Sequence, residues 1–285
     1  MTNFQKPSEI PKFDIVIVSS GRVPYLIRTL DSLEKSNLLK YASDFRIIVN
    51  CVEENAQNRI VSKIRKSEKF KGTIAFIDDR SHAGLLFAAL TSSIESEMIL
   101  YLEEDWLFSK NLDENLIQKI LFVAVLYRQF SFSKFGNGKN NFQTITNYLA
   151  KYDGLIIHKE SLFDSPLIAQ TKLFTLNPSF ISNKIINLLI REFPKYSELS
   201  GFALELEIGR LIGDLVPPSV INFDIPQLRI RHIGYVSTSQ YLNFTKESLL
   251  TKSGVTFAFR DYTWRIYLFL PRRLREIVKR LWNLV

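Results

Sequence analysis

Met98-Ile99-Leu100-Tyr101-Leu102-Glu103-Glu104-Asp105-Trp106 is the stretch on which the reading of this chain turns. Its first five residues form a short apolar run, the pattern of a strand buried on both faces, and three consecutive acids close it. Carboxylates side by side at an apolar strand end need solvent, hydrogen bonds or a cation to compensate them. Strand residues two apart share a face, so Glu103 and Asp105 are expected to project together and Glu104 the other way. Two readings of that pair stand. One is a two-pronged oxygen site for a hard divalent cation that also holds phosphate oxygens. The other is a solvated acidic turn in which Glu103 pairs with a nearby Lys or Arg.

Upstream, Phe13-Asp14-Ile15-Val16-Ile17-Val18-Ser19-Ser20 is another nearly continuous β-branched run, ended by Gly21. Pro24 opens Tyr25 to Leu33, where apolar residues recur at helical spacing. A second strand is expected over Phe45 to Cys51, a helix from about Gln57 to Lys69, and a third strand over Gly72 to Ile77 that ends in Asp78-Asp79. A helix from Gly84 to about Ser96 leads into the acidic stretch. Strands alternating with helices argue a mostly parallel sheet with right-handed crossovers. In such sheets ligands bind outside the carboxyl ends of the strands, and Ser19, Ser20, Asp78, Asp79, Glu103 and Asp105 all fall there. Scattered surface acids have no reason to follow successive strands.

Downstream the pattern is less regular. A helix is expected from Leu112 to about Phe130, a strand over Leu173-Phe174-Thr175-Leu176 before Asn177-Pro178, and a helix over Ile181 to Phe193. Gly201 to Gly213 is a further helical candidate, and Val220 to Ile225 a short strand before Arg231-His232-Ile233-Gly234. Ser131 to Asn141 and Asp153 to Thr171 read as loops. Glu205 and Glu207 diverge by about 200° if helical, so only one of them can face a given site.

The 285 residues suffice for one large α/β domain or two small ones. One cysteine, Cys51, excludes a disulfide within the chain and suits a reducing compartment. Met1 to Pro11 lacks the apolar core of a signal peptide, and no window approaches the roughly eighteen apolar residues that span a bilayer. A cytoplasmic protein, peripheral on the inner face of a membrane, is the expectation. The tail supports the membrane part of it: Arg260 to Val285 holds seven basic and two acidic residues, +5 of the chain's +8. After Pro271, Leu274, Ile277, Val278, Leu281 and Trp282 recur at helical spacing opposite Arg272, Arg273, Arg275, Lys279 and Arg280. Such a basic amphipathic helix suits an anionic membrane surface, or docks on the domain or on a second copy in an oligomer. No nucleic-acid-binding motif accompanies the charge.

In their order, Ser19-Ser20-Gly21-Arg22, Tyr25-Leu26 with Thr29-Leu30-Asp31-Ser32-Leu33, Asp78-Asp79 before Gly84, Tyr101 to Phe108, Phe174-Thr175-Leu176-Asn177-Pro178-Ser179 and His232-Ile233-Gly234 resemble one family. That family is the nucleotide-sugar glycosyltransferases of the GT-A fold, particularly the bacterial family-2-like enzymes. The resemblance implies an α/β GT-A domain over 1–258, a Rossmann-like mostly parallel sheet flanked by helices. Its nucleotide-binding half would be about 13–110 and its acceptor half 111–258, with the basic amphipathic helix at 259–285.

By the same resemblance Ser19, Arg22, Asp79, Gly84 and Glu103 hold the nucleotide, although Arg22 reads equally as a partner for a carboxylate of the chain. Asp105 is the implied ligand of Mn2+ or Mg2+, with His232 completing the metal site or touching the diphosphate. Glu205 is the favoured general base and Glu207 the reserve. The implied activity is a metal-dependent, inverting hexosyl transfer from a nucleoside-diphosphate sugar to a glycan or lipid-linked acceptor, as in polysaccharide biosynthesis. Two rivals remain: a nucleotidyltransferase, for which Ser19 to Pro24 is a poor signature loop, and a glycan-binding scaffold that kept the fold without the chemistry.

Overall fold

β1 (Phe13–Ser19) is buried along its whole length, as its nearly continuous apolar run leads one to expect. Parallel neighbours flank it on both sides: β2 (Ala42–Asn50) and β4 (Met98–Glu103). β3 (Gly72–Ile77) pairs in parallel with β2 at the edge. The crossovers are α1 (Val23–Ser36), α2 (Glu54–Arg65) and α3 (His82–Thr91). The chain, a computed structural model, is described at residues 10–50, 54–67, 70, 72–77, 82–92, 97–108, 111–133, 156–162, 165–192, 195–196, 199, 201–213, 219–223 and 230–232. All of these lie in one unit, Met1–Gly234.

β5 (Trp106–Leu107) follows the acidic turn, and α4 (Glu114–Ala124) is N-capped by Asp113, whose side chain accepts from the Leu116 N–H. Then come β6 (Gln129–Ser133), β7 (Ile156–Leu162), β8 (Ser165–Gln170) and β9 (Ser179–Ser182). α5 (Asn183–Glu192), α6 (Gly201–Ile212), β10 (Ser219–Phe223) and β11 (Arg231–His232) complete the described chain. Among the described residues the main sheet has nine strands in the order β3-β2-β1-β4-β9-β6-β10-β8-β7. The expected parallel block is β3-β2-β1-β4, and β9 then runs antiparallel to both β4 and β6. β5 and β11 form a separate two-stranded antiparallel ribbon.

The two-residue period of β1 divides the core. Ile15 and Ile17 face a cluster with Leu26, Leu30, Ile60 and Leu121, and Val16 and Val18 face one with Leu86, Tyr101, Phe174 and Ile208. α1 presents Val23, Leu26, Leu30 and Leu33 at three- and four-residue steps and ends on Asn37 in the left-handed region, φ 70°.

Three expectations need correction. The helix after Leu112 stops at Ala124, and Gln129–Ser133, alternating polar and aromatic residues, is a strand. Leu173 to Leu176 is buried but irregular, and the strand starts only at Ser179. The backbone N–H groups of Thr175 and Leu176 are bonded by side chains, Gln129 and Glu205, rather than by a ladder. The loop expected over Asp153 to Thr171 contains the β7–β8 hairpin. Asp78, Asp79, Cys51, the acceptor-half segment 233–258 and the basic tail 259–285 lie outside the described residues. Among the described residues no helix is long and apolar enough to cross a membrane.

Candidate active site

The acidic stretch does not continue as a strand. β4 ends at Glu103, and Glu104-Asp105 turn the chain into β5. The alternation argument therefore fails after Glu103, and Glu104 and Asp105 share a partner instead. Arg22 Nε donates to Glu104 Oε1 at 2.6 Å, and Arg22 Nη2 donates to Asp105 Oδ2 at 2.8 Å. The three side chains are 9, 3 and 4 % exposed. Ser20 Oγ donates to the same Glu104 oxygen at 2.7 Å.

Local sequence explains why Arg22 reaches this turn. Gly21, at φ 91°, takes a backbone conformation that side chains disfavour and swings the chain out of β1. Arg22 is the N-cap position of α1, makes no side-chain cap bond, and stacks over the Tyr25 ring with its guanidinium carbon 5.2 Å from the centroid. α1 fixes the other side of the turn: Thr29 Oγ1 donates to Glu104 O at 2.5 Å, and Ser32 Oγ accepts from Phe108 N at 3.2 Å. Burial opposes the charge on Arg22, but Glu104 and Asp105 outweigh it and push its pKa further up, so the guanidinium stays protonated. Of the two readings of Arg22, the pairing with carboxylates of the chain is the observed one.

Glu103 is half-buried, opposite Val18 of β1. Burial first, and then the charges of Asp105 and Glu104, push its carboxyl well above the usual range against the pull of Arg22. Tyr101 is fully buried, and burial together with Glu103, Glu104, Glu205 and Asp105 holds its hydroxyl well above the ordinary phenol range. Glu205 thus lies near enough for both Tyr101 and Glu103 to feel its charge, although it comes from α6, about a hundred residues along the chain.

Glu205 Oε1 accepts from Leu176 N at 2.6 Å and from Thr175 Oγ1 at 3.0 Å. Glu207 instead pairs with Arg210 on a more exposed side of α6, which is the divergence expected of residues two apart. α6 is seated through Gly209, where an added Cβ would lie 2.0 Å from the carbonyl oxygen of Lys172. Gly209→Ala is expected to displace the helix and to cost about 1–3 kcal/mol, read as a lower melting temperature in a thermal scan. Arg128, buried, donates to Ile212 O at the far end of the same helix.

The sequence matches no protein-family model and no curated protein. Solved structures do match. Staphylococcus aureus TarS is 16 % identical over 74 % of this chain and 57 % of its own, with a TM-score of 0.48. The mannosyltransferase PcManGT of Pyrobaculum calidifontis, solved with GDP-Man and Mn2+, is 12 % identical over 76 % of this chain and 58 % of its own, at 0.48. GalNAc-T7, solved with UDP, GalNAc and Mn2+, is 11 % identical over 79 % of this chain and 44 % of its own, at 0.58. The fold is GT-A. The chain spans less than two thirds of the length of each of these three proteins.

Within the GT-A sheet the predicted site residues are placed as follows. Ser19 ends β1, fully buried, its Oγ accepting from Gly21 N at 3.3 Å. Gly84 lies in the first turn of α3, and Asp79 is outside the described residues. His232 is paired with Trp106 in the β5–β11 ribbon, which sets its backbone beside the residue that follows Asp105. Sequence reasoning placed Ser20 at the site end of β1 without giving it a role, and missed Thr29 and Gln129 as partners of the site. Thr29 had a signal: a fully buried polar residue on an otherwise apolar helix face needs a hydrogen-bond partner.

Among the described residues no three His, Cys, Asp or Glu side chains gather as a metal cage. A divalent ion that arrives with phosphates takes only one or two carboxylates from the protein. Asp105, in a turn that also carries Glu103 and Glu104, is a carboxylate of the type such an ion takes.

Proposed function

We propose that the protein is a glycosyltransferase that moves a sugar from a nucleoside-diphosphate donor to a glycan or lipid-linked acceptor, with Mn2+ or Mg2+ held at Asp105 and His232. What supports this reading is that Glu205 is bonded to Thr175 and Leu176, in the segment that leads into β9, and β9 pairs with β4 just before Glu103 and Asp105 in a GT-A sheet. Ligands of open α/β sheets bind at that end. The basic tail adds attachment to an anionic membrane surface at the cytoplasmic face.

The roles follow from where charge develops. Cleavage of the bond between the anomeric carbon and the diphosphate leaves negative charge on the phosphate and oxocarbenium character on the sugar. When bound, a divalent ion would neutralise the first. Glu205 takes the proton of the attacking acceptor hydroxyl. Glu205 is preferred over Glu207 because Thr175 and Leu176 hold it at the segment leading into β9 beside β4, whereas Glu207 is paired with Arg210. With one base and, among the described residues, no second carboxylate assigned as a nucleophile, a single displacement with inversion is the expected outcome. Arg22 keeps Glu104 and Asp105 together in one small turn and so fixes where Asp105 presents its carboxylate.

Thermal scans with UDP-, GDP- and dTDP-sugars, with and without Mn2+, test the proposal. A ligand at a hundred times its Kd stabilises the native state by about 2.7 kcal/mol. One donor is expected to raise the melting temperature, more so with Mn2+, and Asp105→Asn is expected to abolish the Mn2+ increment. Failure of every donor, or an increment unchanged in Asp105→Asn, counts against it.

A further inference from the structure

From Thr175 to Asn177 the irregular segment before β9 is held by side chains rather than by strand pairing, and those side chains lead to Glu205. Gln129, fully buried at the start of β6, donates through Nε2 to Thr175 O at 2.6 Å and to Ser179 Oγ at 2.9 Å. Its Oε1 accepts from Thr175 N at 3.1 Å. Thr175, also fully buried, is thereby fixed at its backbone N–H and C=O by one amide. Its hydroxyl meets three groups: Asn177 N at 3.2 Å, Asn177 Nδ2 at 2.7 Å and Glu205 Oε1 at 3.0 Å.

A hydroxyl has one proton and two lone pairs. The two Asn177 nitrogens can only donate, so they take the lone pairs and the proton is directed to the Glu205 carboxylate. Leu176 N donates to the same oxygen at 2.6 Å. Two donors from adjacent residues on one oxygen fix the rotation of the carboxylate about its last bond. A flexible Glu side chain on a half-buried helix face loses that freedom before any substrate arrives.

We propose that Thr175 is a positioning residue for Glu205, with Gln129 as the buried anchor that sets Thr175. The proposal rests on the reading of Glu205 as the general base. Proton transfer depends on sub-ångström placement of the base, and the network ties the irregular segment that holds Glu205 to Gln129 of β6, in the middle of the sheet.

The test uses the full chain and donor hydrolysis, with water as acceptor and UDP-, GDP- and dTDP-sugars as probes, for wild type, Thr175→Val, Thr175→Ser, Glu205→Gln and Thr175→Val/Glu205→Gln. Thr175→Val keeps the side-chain volume and removes the hydroxyl. It is expected to lower kcat by about ten- to a hundredfold with donor KM within about threefold. Thr175→Ser is expected to restore kcat to within about threefold of wild type, and the double variant to be no slower than Glu205→Gln. If Thr175→Val does not fold, Thr175→Ala carries the same expectation. Wild-type kcat in Thr175→Val beside an inactive Glu205→Gln overturns the positioning role and leaves the base in place. A raised KM with unchanged kcat also overturns it. Wild-type kcat in Glu205→Gln, or no turnover of any donor, overturns the underlying reading and the proposal with it.

Discussion

Glu205→Gln is expected to lower kcat for donor turnover by about 10²- to 10⁴-fold, the usual contribution of a general base, with little change in melting temperature. The structure explains the split. The carbonyl oxygen of glutamine can still accept from Leu176 N and Thr175 Oγ1, so the segment before β9 keeps its anchor. What disappears is the proton acceptor. Glu207→Gln, by contrast, removes one partner of a surface pair with Arg210, an interaction of at most about 1 kcal/mol, and is expected to leave kcat near wild type. Steady-state kinetics and thermal scans of both variants decide the matter. If Glu207→Gln is the inactive one, the assignment of the base is reversed.

Arg22→Met is expected to cause the largest loss of stability of any single change at the site. It leaves Glu104 and Asp105 adjacent, almost wholly buried and without the guanidinium that bridges them. Removing one member of a buried ion pair typically costs about 3–5 kcal/mol, and in a domain of this size each kcal/mol lowers the melting temperature by roughly 2–4 °C. A fall on the order of 10 °C follows. Glu104→Gln is expected to cost less, because Arg22 keeps Asp105 and Ser20 keeps an acceptor oxygen. A melting temperature for Arg22→Met within about 2 °C of wild type would mean that solvent rather than Arg22 compensates the turn.

The parts of this fold legible in the sequence were those where one physical demand dominates. Phe13 to Ser19 and Met98 to Leu102 are buried on both faces, so their composition is nearly continuous and apolar. The helix 114–124 was placed correctly but run too far, because Val125, Leu126 and Tyr127 prolong its apolar pattern beyond the point where the chain turns into β6. Leu173 to Leu176 looked like a strand because it is apolar and buried, and neither property distinguishes a ladder from a segment held by side chains. The β7–β8 hairpin, with Lys159 and Glu160 among its residues, carries no continuous apolar run.

The site was legible in part. The acids after β4 stand out by their position in the strand pattern, whereas spacing says of Glu205 and Glu207 only that they diverge, and the preference for Glu205 came from the family resemblance. The pairing of Arg22 with Glu104 and Asp105 joins residues more than eighty apart, and no local period reports it. The two readings of Arg22 therefore differed only once the turn at Gly21 was seen.

The place of β9 also bears on the order in which the molecule is made. β4 and β6 never touch as neighbours, since β9 lies between them and pairs with each. A growing chain emerges at about 5–20 residues per second, so its first four strands can associate seconds before residues 179–182 exist to join them to the rest. The Thr175 to Ser179 segment arrives with β9, Glu205 later still, and the ribbon that sets His232 beside Trp106 comes last. The acidic turn is thus made early and waits, incomplete, for partners from the far end of the described chain, so the candidate site is assembled only when nearly the whole unit has left the ribosome.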